Sequence, residues 1–288
     1  LKKLKPDYVV SVGDRYETMA TALSAVYLNI PLIHTMGGER TGSLDESIRH
    51  AISKLSHLHF VSNADSKKRL IKMGEDSKFV FNVGCPRIDI VKKTISSYSK
   101  KNFYDNLNSL GVGCSIKNGE DIIVVSQHPV TSEYFEAKKN FEATFDAIRK
   151  FIPRYKIVYI WPNSDPGTEQ ISSYVRKFRE ITKSNNFRFI VNMPSETYYK
   201  LLNECSVLVG NSSSGVREGS FIGVPAVNIG TRQNERLHGK NIITVKQYNK
   251  FEIHKAICKQ LSSRKKLNSK LYGNGDAAKK IAKILKKI

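Results

Sequence analysis

The chain has 288 residues, with 47 lysines and arginines against 26 aspartates and glutamates and a formal net charge of +21. A hydrophobic content of 40% and only nine prolines describe a globular protein with enough chain for two domains and two cores, not a disordered one. The sequence lacks the run of about 18 apolar residues that a membrane-spanning helix needs, so no membrane partner is expected.

The charge invites a nucleic-acid reading, but the lysines are spread, with their densest run from Arg264 to Lys287. No arginine-rich arm or aromatic-interleaved strand accompanies them, so no nucleic-acid partner is expected. Cys85, Cys114, Cys205 and Cys258 are widely scattered without a C-x-x-C spacing. That pattern suits a reducing, cytoplasmic setting and gives neither a disulfide frame nor a structural zinc site.

In chain order, Tyr8–Val12 is expected as a strand and Tyr16–Leu28 as a helix with apolar residues at helical spacing. A strand at Pro31–Ile33, a helix at Leu44–Leu55 and a strand at Leu58–Val61 follow. Ala64–Met73 is a helix ended by Gly74, and Lys78–Val83 a strand. Residues 91–118, rich in Lys, Ser and Asn, are expected as an interdomain connection with one short helix. The second half repeats the alternation, with strands at Ile122–Val125, Ile157–Ile160, Phe187–Val191, Val207–Val209, Ala226–Ile229 and Ile242–Val245. Helices are expected at Glu133–Phe151, Thr168–Lys183, Glu196–Asn203, Glu252–Leu261 and Ala277–Ile288, the last with Asp276 as N-cap. Strands alternating with helices mean parallel α/β sheets.

The densest chemistry lies in His34-Thr35-Met36-Gly37-Gly38-Glu39-Arg40-Thr41-Gly42-Ser43-Leu44-Asp45-Glu46-Ser47-Ile48-Arg49-His50. Acids, cations and glycines crowd the loop after a predicted strand, where open α/β sheets bind ligands. Asp14 and Arg15, His128, and Ser212 also follow predicted strands. Each has a plainer role beside the chemical one: Asp14 as a helix N-cap, Asp45 as the i,i+4 partner of Arg49, Ser212 as a serine cap, His128 as a strand-end histidine before Pro129. Glu39, between Gly38 and Arg40, has no comparable structural role. Ser212-Ser213, opening a helix after a buried strand, would offer backbone amides and hydroxyls to a phosphate. His50, His57 and His59 lack a closed ligand set, so no metal is expected.

The 34–50 stretch resembles the UDP-N-acetylglucosamine 2-epimerase family, in particular its hydrolysing branch, which makes free N-acetylmannosamine for sialic-acid-type sugars. Gly13-Asp14-Arg15-Tyr16-Glu17, Gly84-Cys85-Pro86-Arg87, Gln127-His128-Pro129, Asn211-Ser212-Ser213-Ser214-Gly215-Val216-Arg217-Glu218 and Gly230-Thr231-Arg232-Gln233 fit the same family in the same order. The resemblance runs from about Lys5 to the last helix. It implies an α/β fold of two Rossmann-like domains facing each other across a cleft, as in glycosyltransferases of the B type. The expected divisions are a first domain over 1–97, a linker over 98–118, a second domain over 119–265, and a terminal segment over 266–288 whose helix crosses back to the first domain. Family members carry further strand–helix units ahead of this chain's first strand, so the first domain is expected to be truncated at its N-terminal side.

The resemblance also implies roles. Asp14, Glu39 and Asp45 match carboxylates that act as base and acid, which chemistry at C2 of an amido sugar requires in pairs. His128 would protonate or hydrogen-bond the leaving β-phosphate. Ser212, Ser213, Glu218, Arg232, Arg15 and Arg49 would bind substrate, Glu218 at the ribose hydroxyls and Arg232 at the diphosphate. Arg87 and Trp161-Pro162-Asn163-Ser164-Asp165 are further cleft candidates. The implied substrate is a nucleotide sugar, UDP-N-acetylglucosamine or a close relative, with no cofactor, in a homodimer or homotetramer. A glycosyltransferase of the same fold, or an inactive nucleotide-binding remnant, would carry similar phosphate motifs.

Overall fold

A computed structural model describes residues 1–41, 44–162, 168–182, 186–263 and 265–288. Two compact units divide the chain: Leu1–Ile90 with Lys270–Ile288, and Val91–Ser269.

The first unit runs β1 (Val9–Val12), α1 (Tyr16–Tyr27), β2 (Leu32–Thr35), α2 (Leu44–Leu55), β3 (Leu58–Val61), α3 (Ala64–Lys72), β4 (Val80–Asn82) and α4 (Pro86–Ser96), whose C-terminal half enters the second unit. The strands pair in sequence order, β1-β2-β3-β4, all parallel. Both faces of β2 and β3 are buried, so the polar residues within them, His34, Thr35 and His59, must find partners in the interior. One face gathers Val9 and Leu32 with Ala22, Ala25 and Ile52 from α1 and α2. The other gathers Ile33, Leu58, Phe60 and Val83, against which Ile281, Ile284 and Leu285 pack.

The second unit continues with α5 (Phe103–Ser109), β5 (Val112–Gly113), β6 (Ile122–Ser126), α6 (Ala137–Arg149), β7 (Lys156–Ile160), α7 (Thr168–Thr182), β8 (Phe187–Ile190) and α8 (Ser195–Glu204). Then come β9 (Val207–Gly210), α9 (Ser213–Val216), α10 (Glu218–Ile222), β10 (Ala226–Ile229), β11 (Ile242–Val245) and α11 (Lys250–Ser263); α12 (Ala277–Leu285) belongs to the first unit. The sheet order is β11-β10-β9-β6-β7-β8-β5, parallel except for β5, which runs antiparallel to β8. An aromatic cluster fills one face. Phe145 lies 4.5 Å from Phe141 and 4.7 Å from Phe178, ring centre to ring centre, with Tyr159 and Phe187 also in contact. Each such ring contributes about 2–3 kcal/mol of burial.

Several local expectations change. The 98–118 segment is not a bare connection: α5 and β5 lie within it, and Arg188 of β8 holds it. The buried guanidinium donates to the carbonyls of Leu107, Asn108 and Cys114. Helix α4 starts earlier than the expected connection, at Pro86, whose fixed φ suits a first helical position. The helix expected from Glu133 begins at Ala137, after a 3₁₀ segment over Thr131–Glu136. Asp276 does not cap α12 through its side chain; Asp89 of α4 does, accepting from the amides of Ala277 (3.0 Å) and Ala278 (2.8 Å). Asp276 instead pairs with Lys280 one turn on.

Candidate active site

In the first unit the ends of β1 and β2 bring the Asp14 carboxylate and the Glu39 main chain to one cation. Arg49, on α2 and 1% exposed, donates from one guanidinium nitrogen to the Asp14 carboxylate and from another to the Glu39 main-chain oxygen, at 2.5 Å. A charge buried this deeply requires such partners, because desolvation without them is costly. Asp14 does not cap α1: the N-cap position is Arg15, whose side chain makes no capping bond.

Glu39 is itself buried, and the Ser62 hydroxyl donates to its Oε1 at 2.5 Å. Arg69 of α3 donates to the Gly38 carbonyl at 2.5 Å, and the Thr41 amide to Glu46 at 2.7 Å. The loop is therefore fixed from three sides. Its start is unusual: Met36 is left-handed at φ 63°, a conformation that costs a bulky residue roughly 1 kcal/mol or more. Gly38 follows at φ 73°, and a Cβ there would lie 2.6 Å from the Ser66 carbonyl oxygen. The glycine is required by conformation and by close approach together.

Asp45 stands on the first turn of α2 and is exposed. Arg15 is exposed and pairs with Glu17 at 3.2 Å. Gly42 and Ser43 lie outside the described residues. The three histidines go separate ways. His57 Nδ1 accepts the Leu32 amide, His59 bonds Glu75 at 3.1 Å, and His50 lies 3.6 Å from Glu46.

In the second unit a hub residue ties His128 to Arg232. Asn211, fully buried after β9, accepts the His128 amide on Oδ1 at 2.7 Å and donates from Nδ2 to the His128 carbonyl at 2.8 Å. Its own carbonyl accepts Arg232 at 3.3 Å and Gln233 at 3.0 Å. Gly210 just before it has φ 134°, and a Cβ would strike the Ser126 carbonyl of the neighbouring strand. Burial and the adjacent Arg232 charge push the His128 imidazole down to about 3, so at neutral pH it is uncharged. A neutral imidazole offers a ring N–H as a hydrogen-bond donor.

Ser212 caps α9, its hydroxyl accepting the Ser214 amide at 3.4 Å and lying 2.9 Å from the Ser214 hydroxyl. Tyr198 of α8 buttresses that hydroxyl at 2.6 Å. Ser213 Oγ accepts Arg217 at 3.0 Å, and Glu218 is buried at the start of α10. Arg87 lies in the first turn of α4. Of the 161–165 candidates, Asn163, Ser164 and Asp165 lie outside the described residues. A groove of about 620 Å³ between α6 and α7, lined by Lys138, Glu142, Arg149 and Tyr174, contains none of the candidate residues.

The model of a known family, UDP-N-acetylglucosamine 2-epimerase, matches residues 1–286. The chain belongs to that family. Among epimerase-family relatives, it is 33% identical over 98% of its length to the UDP-N,N'-diacetylbacillosamine 2-epimerase (hydrolyzing) of Legionella pneumophila, of which it spans 71%. It is 35% identical, over 83% of its length, to the GDP/UDP-N,N'-diacetylbacillosamine 2-epimerase (hydrolyzing) of Campylobacter jejuni, spanning 60% of that protein. It is likewise 35% identical to the UDP-N-acetylglucosamine 2-epimerase of Neisseria meningitidis over 84% of its length, spanning 60%. The crystal structure of a UDP-GlcNAc 2-epimerase from Neisseria meningitidis bound to UDP-GlcNAc superposes with a TM-score of 0.82 at 22% identity, covering 100% of this chain and 78% of that one. That of the Methanocaldococcus jannaschii enzyme in complex with UDP-GlcNAc and UDP gives 0.79 at 23%, covering 100% and 78%. The epimerase fold, two α/β units of the glycosyltransferase-B kind, is thereby shown.

Residues that carry the geometry without having been expected are Asn211, Ser62 and Arg69. Asn211 sits inside a recognised motif, but nothing in its spacing reveals a side chain turned back on another loop.

Proposed function

We propose that the protein is a hydrolysing nucleotide-sugar 2-epimerase, releasing UDP and the free 2-epimeric sugar from UDP-N-acetylglucosamine or a diacetamido relative. The carrying observation is that Asp14 and the buried Glu39 loop converge on one buried guanidinium, Arg49. Two relatives whose names specify hydrolysis support the hydrolysing branch.

In this mechanism a carboxylate removes the C2 proton while the C1–O bond to the β-phosphate breaks, giving a 1,2-unsaturated sugar and UDP. Water then adds at C1, and a proton returns to C2 from the opposite face. Atoms balance: one water enters, and UDP and an N-acetylmannosamine-type sugar leave. Asp14 and Glu39 supply the acid–base pair, with Asp45 of the first α2 turn as a third carboxylate. Arg232, the Ser212–Ser213 amides and hydroxyls, and neutral His128 stabilise the departing diphosphate, and Glu218 accepts hydrogen bonds from the ribose hydroxyls.

The test is the reaction in deuterium oxide with several nucleotide sugars. The expected product is a free 2-epimeric sugar carrying one deuterium at C2, with stoichiometric UDP. A labelled nucleotide sugar would mark a non-hydrolysing epimerase. Released UDP with C2 unlabelled and uninverted would mark a transferase or simple hydrolase and overturn the proposal.

A further inference from the structure

His34 is fully buried on β2, opposite Ser11 of β1 and His59 of β3. Both ring nitrogens are engaged. Nε2 lies 2.8 Å from the Gly13 carbonyl, and Nδ1 lies 3.0 Å from the Ser53 hydroxyl on α2. A carbonyl only accepts, so Nε2 carries the proton. Burial pushes the imidazole down to about 4, so the ring is neutral and Nδ1 must accept. The single Ser53 proton therefore points at Nδ1, although the Arg49 carbonyl is also within 3.0 Å.

The surroundings are shaped around this pair. A Cβ on Gly37 would lie 2.8 Å from both His34 Nδ1 and Ser53 Oγ, so the loop leading to Glu39 passes over them with no spare room. Gly13, whose carbonyl His34 holds, has φ 79° and directly precedes Asp14. Ser53 lies one turn after Arg49, the partner of Asp14. His34 thus touches the β1 end at the Gly13 carbonyl, α2 at the Ser53 hydroxyl, and the Gly37 loop, which together present Asp14, Arg49 and Glu39.

We infer that His34 is a positioning residue: as the Nε2–H tautomer it holds the Gly13 carbonyl and so sets the Asp14 carboxylate against Arg49 for proton transfer. This inference rests on the epimerase function proposed above. The charged and titratable groups around the ring are His59, Arg49 and Asp14; none of them bonds to its nitrogens in place of Gly13 and Ser53.

The test compares His34→Ala with His34→Gln, whose amide N–H reaches where Nε2 does. His34→Ala is expected to lower kcat about 30-fold with KM and UDP affinity within about twofold, and His34→Gln to recover about tenfold of that loss. In an Asp14→Asn background His34→Ala should add less than about threefold, because the two act through one group. Independently of activity, ¹⁵N spectra of histidine-labelled protein at pH 7 should show this ring as the neutral Nε2–H tautomer. Overturning results are a kcat within about threefold of wild type in His34→Ala, full additivity with Asp14→Asn, or an Nδ1–H or doubly protonated ring. Wild-type protein that turns over no nucleotide sugar would reject the epimerase function and this role with it. Active wild type with normal His34 variants rejects the role alone.

Discussion

The side-chain amide of Asn211 bonds twice to the main chain of His128, 83 residues away, giving and receiving one hydrogen bond each. Both partners are buried. Asn211→Ala would leave an amide and a carbonyl of the His128 loop without partners, at a cost of about 2–4 kcal/mol. Asn211→Asp keeps the acceptor and loses the donor, so its loss should be intermediate at neutral pH. Urea unfolding of the two variants beside wild type measures this, and a loss below about 0.5 kcal/mol in Asn211→Ala would show that the clamp is idle.

Asp14→Asn and Glu39→Gln should each lower turnover by about 100-fold or more while leaving UDP affinity nearly intact, as acid–base groups do. Steady-state kinetics with UDP-N-acetylglucosamine, alongside UDP titration calorimetry, separates the two quantities. Near-normal turnover in both variants would move the chemistry away from the Arg49 cluster.

Arg232→Ala should weaken UDP binding by about 2 kcal/mol, the loss of a charge-assisted phosphate contact. Ser213→Ala should cost less, since a hydroxyl adds a neutral hydrogen bond and its Oγ already accepts Arg217. The expected order of affinities by calorimetry is wild type, Ser213→Ala, Arg232→Ala. An unchanged affinity in Arg232→Ala relocates the phosphate site.

Acidification should destabilise the protein in a window set by two buried histidines. His128 and His34 fall from an ordinary 6.5 to about 3 and about 4 in the folded chain, because burial penalises their charged forms. The unfolded chain takes up these protons first, so stability is complete above about pH 6.5 and falls as pH drops toward those lower values. His128→Gln should lose roughly 2 kcal/mol less than wild type between pH 7 and pH 5. Urea midpoints at the two pH values decide, and identical pH dependence in both proteins would contradict it.

The regular elements were legible because their causes are local. Helix α2 over Leu44–Leu55, β3 over Leu58–Val61 and β11 over Ile242–Val245 have the expected bounds, each a periodic or apolar run between clear breakers. What escaped depends on contacts distant in sequence. β5 is two residues long and exists only because β8 is beside it. Asp89 caps α12 from 188 residues away, a pairing that no spacing rule anticipates. The motif residues Asp14, Glu39 and Arg49 meet in the fold, yet Asp14 reads equally well as a helix cap until Arg49 is seen beside it. The histidine cluster shows the converse. Three nearby histidines suggest a shared purpose, and the fold gives each a different partner.

Arg188 gives the second sheet an asymmetry between its two sides. Its guanidinium sits against the C-terminal carbonyls of α5, where the helix dipole favours a cation, and thereby fastens β5 over the outer edge of β8. Gly111 and Gly113 approach the β8 backbone so closely that a side chain at either would collide with it. The edge on that side is a strand only two residues long, which offers another chain little to pair with. At the other end, among the described residues, β11 has no outer neighbour in its sheet, but Lys255 and Lys259 of α11 line the groove beside it, the kind of charge that discourages another chain from adding a strand.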